Sequence, residues 1–446
     1  MTPGARIQAA IEILEALQEN PQPADDAVRA WGTSHRFAGS KDRAAIRSLV
    51  FESFRHRGHA YALMGEESSR ATIIGALRIG MGLKPTEIAS AMTGNAYDAK
   101  PLTEKECAAL EGQSPKGGTL NWPRWLAEKL EAEYRDTAEA LMGALNETAP
   151  LDIRVNTLLA TRDEVLAALL SVGFPAEPTP FSPWGIRIAR NEDMVGANIR
   201  TLPMFRAGVI DVQDEGSQLV SLFACAAPGM QIMELCAGGG GKTLALAAAM
   251  EQSGQIYACD VDERRLRAGQ ERVARAGVHN VQPKLIHHWA AQDGKDPDLE
   301  DYAGKMDLVF LDVPCTGSGA WRRQPEAKWQ LTPERLAEFA ALQASILRRG
   351  SRLVKHGGQL VYVTCSVLAE ENGEQVEAFL ARHSDFKVHA PDALRQAQGD
   401  SFKSIMRSLS KHDSEQISRW PRGGLQLSPV TTHTDGFFFA AFERTA

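Results

Sequence analysis

Near the N-terminus, apolar positions recur at helical spacing. Ile7, Ile11, Leu14 and Leu17 share one face of a helix over 6–18, and the stretches 44–64 and 70–81 continue in the same manner. An all-helical first region is the expectation. Between 93 and 125 the composition shifts to Gly, Pro, Asn, Lys and Ser, which predicts a loop-rich connector before a helix over 123–146 that bridges two domains. Leu151–Val155 and Gly185–Ile188 read as strands on either side of a helix over Arg162–Ser171, a small α/β module. Beyond about Gly208 short apolar runs alternate with helical patterns. The runs at Gln231–Leu235, 256–259, 308–311 and 359–363 predict the strands of a doubly wound, largely parallel sheet.

A chain of 446 residues exceeds what one core usually serves, and the pattern divides it at 1–145, 146–210 and 211–446. Apolar residues make up 43% and charged residues 24%, an ordinary globular balance that excludes fibrous or extensively disordered chains. Glu12 and Glu15 interrupt the first apolar stretch, and no run approaches the length of a membrane span, so a cytoplasmic protein without membrane contact is expected. Six cysteines without a CxxC pair argue for reduced thiols and against structural zinc. The adjacent His287 and His288 lack partners that would make them metal ligands, so no metal is expected. Nothing demands more than a monomer. The net charge of -7 means that any nucleic-acid surface must be local. Arg36, Lys41, Arg43, Arg47, Arg55 and Arg57 form one basic cluster, Arg322, Arg323 and Lys328 a second, and Arg348, Arg349, Arg352 and Lys355 a third. Each, taken singly, also reads as an ordinary solvated face.

The strand QIMEL runs into Cys236, Ala237, Gly238, Gly239, Gly240, Gly241 and Lys242, with a helix beginning near Thr243. Glycines there let the backbone turn sharply and approach a ligand, while the helix start presents free N–H groups. A phosphate-binding GxxxxGK[ST] loop would need glycine at position 236, which is Cys236, so that reading fails on spacing. The next strand ends at Asp260, where doubly wound folds place an acid that accepts from ribose hydroxyls. These two features alone leave several dinucleotides, a methyl donor or simple tight packing open.

Asp312-Val313-Pro314-Cys315-Thr316-Gly317-Ser318-Gly319 follows the strand DLVFL, and Thr364-Cys365-Ser366 follows QLVYV. Both cysteines thus fall at carboxyl ends of strands in one sheet, where open α/β folds hold ligands. Two thiols and a carboxylate can converge there, although a cysteine is as often a buried small hydrophobe.

Together, ELCAGGGGKT, DVPCTGSG, RRQPEAKW and VTCSVLAEENGEQV resemble the motif set of the RNA 5-methylcytosine methyltransferases, and within it the bacterial ribosomal RNA branch. DVQDEGSQL at 211–219 and HTDGFFFA at 433–440 extend the resemblance from about Asp152 to the C-terminus, and DRAAIRSLVFESFRHR is similar to the NusB-like RNA-binding domain of that branch. The resemblance implies a Rossmann-like methyltransferase domain over 211–446, preceded by a small α/β RNA-binding module and a helical NusB-like domain. It implies S-adenosylmethionine as cofactor, held by 236–242, Asp260 and Asp312, and ribosomal RNA as substrate. Cytosine C5 is a poor nucleophile, so a thiolate must first add at C6, and the resemblance gives this role to Cys365. Asp312 would stabilise N3, which a carboxyl kept protonated in a dry pocket can do. Cys315 would remove the C5 proton, and Lys242 would sit near the base or the cofactor carboxylate, or else be a surface lysine at a helix start. Arg154 and Asn156 would contact RNA or brace the sheet. Arg323, Lys328 and Trp329, beside Pro325, would clamp phosphate and stack on a base, with core packing the other reading of Trp329. His433, Asp435 and the phenylalanines at 437–439 would belong to a closing edge strand.

The chain departs from the family pattern in three places. Glu234 replaces an aspartate, Gly238-Gly239 replace Ala-Pro, which should loosen the turn and weaken cofactor binding, and His287 stands where an aspartate near the adenine is usual. DNA cytosine methylation draws its nucleophile from a PC motif, so the presence of both TC and PC favours RNA. A transfer RNA methyltransferase and an idle ribosome-assembly factor that kept the fold are the remaining alternatives.

Overall fold

The computed structural model describes residues 1–113, 115–189, 199–289, 296–388 and 424–445. They form two compact units, one from Met1–Thr148 together with Trp321–Leu331, the other from most of the rest.

The first unit is helical, as its periodicity predicts: α1 (Pro3–Glu19), α2 (Ala24–Ser34), α3 (Ser40–Arg55), α4 (Arg57–Met64), α5 (Ser69–Ile79), α6 (Pro85–Ala91), α7 (Glu104–Leu110), α8 (Arg124–Tyr134) and α9 (Ala138–Asn146). The Thr2 hydroxyl caps α1 and Pro3 fits its first turn. Ile7, Ile11, Leu14 and Leu17 are buried with Ile46, Val50, Ile73 and Ile74 in one core. The helix expected over 44–64 is two helices that part at His56. Just past the break, Gly58 runs against another segment: an added Cβ would lie 1.6 Å from the Leu120 carbonyl oxygen. The helix expected over 123–146 likewise divides, at Arg135 with φ of 48°. The predicted connector over 93–125 contains α7, opened by a capping box in which Thr103 and Glu106 bond each other's backbone N–H. Trp321–Leu331, with the short helix α15 (Ala327–Gln330), packs in this unit although it lies far along the chain.

The second unit holds two sheets. The smaller comprises β1 (Leu151–Val155), β2 (Ala176–Pro178), β3 (Gly185–Ile188) and β4 (Ile210–Val212) in the order β2-β3-β1-β4, with α10 (Arg162–Ser171) and α11 (Pro203–Arg206) alongside in sequence. The larger contains β5 (Gln231–Leu235), β6 (Gln255–Asp260), β7 (Val281–Leu285), β8 (Met306–Asp312), β9 (Val354–Thr364), β10 (Phe386–Val388), β11 (Gly424–Leu427) and β12 (Phe437–Arg444). Its order is β10-β12-β9-β8-β5-β6-β7, with β11 also on β12. The five strands from β7 to β9 are parallel, and β12 runs antiparallel to β9. The HTDGFFFA segment therefore enters the sheet interior, flanked by β9 on one side and by β10 and β11 on the other, and is not an edge. Its run of apolar residues fits that place, because a strand covered on both faces has no polar side.

Burial on both faces follows from period two. Leu308 and Phe310 pack on one face with Ile232 and Val361, while Val309 and Leu311 pack on the other with Met233 and Leu360. The connecting helices α12 (Glu215–Phe223), α13 (Gly241–Ala249), α14 (Glu263–Arg275), α16 (Pro333–Ser351) and α17 (Gly373–Leu380) alternate with the strands. This is the doubly wound Rossmann-like fold expected from the sequence. Its strand order reverses between β5 and β8, and a crevice opens outside the carboxyl ends of strands at such a switch point.

Candidate functional site

Four of those carboxyl ends carry polar or reactive side chains. β5 delivers the glycine turn, β6 ends on Asp260, β8 on Asp312, and β9 leads directly into Cys365. Parallel neighbours in register bring these ends together, with Leu235 opposite both Cys259 and Leu311, and Asp312 opposite Val363.

The turn after β5 is built from left-handed backbone at Cys236 (φ 67°), Gly238 (54°) and Gly240 (77°). Asp260 is buried and shapes it: one carboxylate oxygen accepts from the Gly238 N–H at 2.8 Å, the other from the Asp262 N–H at 2.9 Å. An added Cβ at Gly240 would lie 3.2 Å from the Gly269 Cα, so glycine serves close packing there. At Gly238 nothing stands nearer than the Cys236 carbonyl oxygen at 3.9 Å, which leaves the backbone open to a ligand. Arg272 braces the turn from α14, donating to the Gly239 carbonyl at 2.6 Å and to the Asp211 carboxylate at 2.6 and 3.0 Å. Sequence reasoning missed Arg272, whose partners lie 33 and 61 positions away.

Lys242, in the first turn of α13, places Nζ 2.7 Å from Asp312 Oδ2 and 5.1 Å from the Phe437 ring centroid. Burial alone would lower its pKa, but the Asp312 carboxylate reverses that and holds the ammonium above its usual range, with Cys365 acting in the same direction. The surface-lysine alternative therefore does not describe it. Beneath lies Glu234, fully buried, its Oε2 accepting from the Thr243 hydroxyl at 2.6 Å; burial pushes its pKa up to about 8.

Cys315 and Cys365 meet with 3.3 Å between their Sγ atoms, and both are partly exposed. The Cys315 thiol is pushed well above its ordinary range by the hydrogen bond with Cys365 and by burial. Four contacts among those described stitch the two loops together: Gly319 N–H to the Cys365 carbonyl at 2.9 Å, the Ser318 and Ser366 hydroxyls at 2.8 Å, Val367 N–H to the Ser318 hydroxyl at 2.9 Å, and Thr316 on the Glu371 carboxylate. Gly436 supports them from the HTDG segment, donating its N–H to the Gly319 carbonyl at 2.8 Å.

Other residues singled out in the sequence lie elsewhere. Arg154 is buried and donates to Gln213 at 2.7 Å; Asn156 is buried and bonds the Gly208 and Ala276 carbonyls, so both brace the second unit from within. In the helical unit, Lys328 is buried and donates to Asn146 at 2.5 Å, and the Trp329 indole donates to the Phe54 carbonyl at 2.9 Å. Arg323 lies in the same segment. His287 pairs with Asp298 at 2.8 Å and stays exposed. Among the described residues, no group of three or more His, Cys, Asp or Glu side chains could hold a metal ion, and no helix is long and apolar enough to cross a membrane.

Comparison with known proteins gives these features a context. Residues 222–443 match the family described as 16S rRNA methyltransferase RsmB/F, and residues 122–194 match the ferredoxin-like domain of RsmF/B-like methyltransferases. The chain is 35% identical over 266 residues to ribosomal RNA small subunit methyltransferase B of Photorhabdus laumondii, covering 60% of this chain and 59% of that protein. It is 32% identical over 329 residues to a probable ribosomal RNA small subunit methyltransferase B of Synechocystis, covering 74% and 68%. The matched stretch thus spans under two thirds of the Photorhabdus relative's length. Among solved structures, a methyltransferase homolog protein from Pyrococcus horikoshii is 26% identical with a TM-score of 0.57, covering 73% of this chain and 97% of the other. The structure of PH0851 shares the fold over 99% of both chains, with a TM-score of 0.73 and 24% identity.

Proposed function

Since the chain belongs to the RsmB/F family of 16S rRNA methyltransferases, we propose that it transfers a methyl group from S-adenosylmethionine to C5 of a cytosine in ribosomal RNA, through a covalent bond between Cys365 and C6. The observation that carries this reading is the meeting of two partly exposed thiols, 3.3 Å apart, just past the carboxyl ends of β8 and β9, the same end of the sheet that carries the glycine turn and the Lys242–Asp312 pair.

The residues present fit the cofactor. The open backbone at Gly238 leaves room for close approach, and the first-turn N–H groups of α13 have no acceptor within their own helix. Residues 236–241, Lys242, Asp260 and Asp312 would hold it. When bound, S-adenosylmethionine supplies an electrophilic methyl group on a sulfonium.

The chain's own groups do the rest. Cys365 Sγ, as thiolate, forms a bond to C6, and the electron pair displaced from the C5–C6 double bond moves toward N3, leaving C5 nucleophilic. A proton or hydrogen bond is needed at N3. Ion-paired to Asp312, Lys242 is the proton-bearing partner, so the pair rather than a lone carboxylic acid serves there. Once C5 carries the methyl group, Cys315 takes the C5 proton, the double bond re-forms, and the bond from C6 to Cys365 breaks. Cys315 enters this step as a thiolate, its own proton having passed to solvent through its partly exposed face, and its raised pKa makes that thiolate a strong base. The ring must leave its helical stack for C6 to be reached.

The test separates the two thiols. With in vitro transcribed 16S rRNA and S-adenosylmethionine, Cys315→Ala should accumulate a protein–RNA adduct that survives denaturation, and Cys365→Ala should form none. An adduct persisting in Cys365→Ala would move the nucleophile elsewhere and overturn the assignment. Mapping 5-methylcytosine in the transcript identifies the base.

A further inference from the structure

The two thiols are supported differently. Cys365 continues directly from β9, whose ladder fixes it, whereas Cys315 lies three residues beyond β8 in irregular backbone. That loop is gripped on both sides of Cys315. Ahead of it, the Pro314 carbonyl accepts from Gln343 Nε2 at 2.9 Å. Behind it, the Thr316 N–H donates to Glu371 Oε1 at 2.8 Å and the Thr316 hydroxyl to Glu371 Oε2 at 2.5 Å. Gln343 Nε2 also donates to Glu371 Oε1 at 3.0 Å, so both grips converge on one carboxylate. Glu371 is fully buried, and the Tyr362 hydroxyl anchors its carbonyl at 2.6 Å. Hydrogen bonds to a buried carboxylate are among the stronger ones available to a chain, and they fix geometry.

We propose that Glu371 is a positioning residue for product release: its carboxylate holds the 314–316 loop so that Cys315 reaches the C5 proton. This rests on the cytosine-C5 reading above and assigns to the ENG segment after the TC motif a task in the second half of the cycle. Glu371 also adds its negative field to the influences that raise the Cys315 pKa, after the Cys365 hydrogen bond and burial, and so strengthens Cys315 as a base. Within the motif over 363–376 nothing in the sequence separates this residue from its neighbours.

The experiment uses the full chain, 16S rRNA transcript and methyl-labelled S-adenosylmethionine. Glu371→Gln keeps the size but removes the charge and leaves one acceptor oxygen for the Thr316 N–H, the Thr316 hydroxyl and Gln343 Nε2, which the carboxylate serves with two. Single-turnover methyl transfer should stay within about threefold of the parent while multiple turnover falls at least about tenfold, with the denaturation-resistant adduct accumulating as in Cys315→Ala. Thr316→Val, which keeps the N–H and loses the hydroxyl, should show the same partition more weakly. Equal loss of both phases without adduct would make Glu371 merely structural, and parent-like behaviour of both variants would overturn the proposal as well. If Glu371→Gln fails to fold, Thr316→Val decides by the same criterion. If the parent methylates no cytosine and Cys315→Ala forms no adduct, the preceding reading has failed and this one falls with it.

Discussion

A carboxyl group inside a protein usually finds a cation or ionises at the surface, and Glu234 does neither. It sits below Lys242 and Asp312, bonded to Thr243, with a pKa near 8 against an ordinary 4.5. It therefore carries a proton into the fold that the unfolded chain has already lost at neutral pH. Between those two values the folded state binds more protons, so stability is fully present below about pH 4.5 and declines as pH rises toward about 8. Glu234→Gln keeps an acceptor for Thr243 and removes the titration. The parent's melting temperature should drop between about pH 5 and about pH 8.5 by several degrees more than the variant's, on the order of 4 kcal/mol in stability. Parallel slopes would show that Glu234 enters the fold ionised. Residue 234 is plain in the motif as a departure from aspartate. Its burial was not legible, because that depends on strands and helices packing above it.

Among elements, the loop after β8 depends on glycines for two distinct reasons, which separate on substitution. Gly317 has φ of 68° with open space around it, so Gly317→Ala should cost about 1 kcal/mol of backbone strain. Gly319 is pressed against Gly436, and an added Cβ would lie 1.9 Å from that carbonyl oxygen. Gly319→Ala must push the HTDG segment away, which should cost about 2–3 kcal/mol and disturb adduct formation, read from thermal melting and the covalent assay together. Equal effects of the two substitutions would mean that the contact yields easily. Strand positions in the sheet were legible because both faces are covered, giving continuous apolar runs. The capping box that opens α7 was present as TEKE but was masked by the Gly- and Pro-rich residues around it. The division of 44–64 was invisible, since the close approach of Gly58 to Leu120 is a contact between segments distant in sequence.

At the scale of the molecule, the helical unit is completed by residues far beyond it. Trp321 is 1% exposed and lies 5.5 Å from Trp122 by ring centroids; Glu326 accepts from the Ala24 N–H at 2.9 Å; the Arg322 carbonyl accepts from Arg55 at 2.7 Å. An excised fragment of residues 1–148 lacks these partners and opens the space that Trp321 fills. It should melt well below the full chain's helical unit, with losses of about 3–5 kcal/mol for the tryptophan alone, and adding a peptide of residues 321–331 should raise its melting temperature. A fragment as stable as the unit in the full chain would make the inserted segment an ornament. The residue types of RRQPEAKW suit an RNA clamp, with core packing the other reading of Trp329; Lys328 and Trp329 are occupied in packing this unit. By itself the sequence determined the class of fold, the strand that carries each motif and the two cysteines worth following, because hydrophobic period and motif order are local properties of the chain. Only the tertiary structure decided that the thiols meet, that Lys242 pairs with Asp312, and that Glu371 grips the Cys315 loop. Those depend on strand order and on side chains separated by 50, 70 and 55 positions, and distances of that kind are set by how elements pack and not by any pattern along the chain.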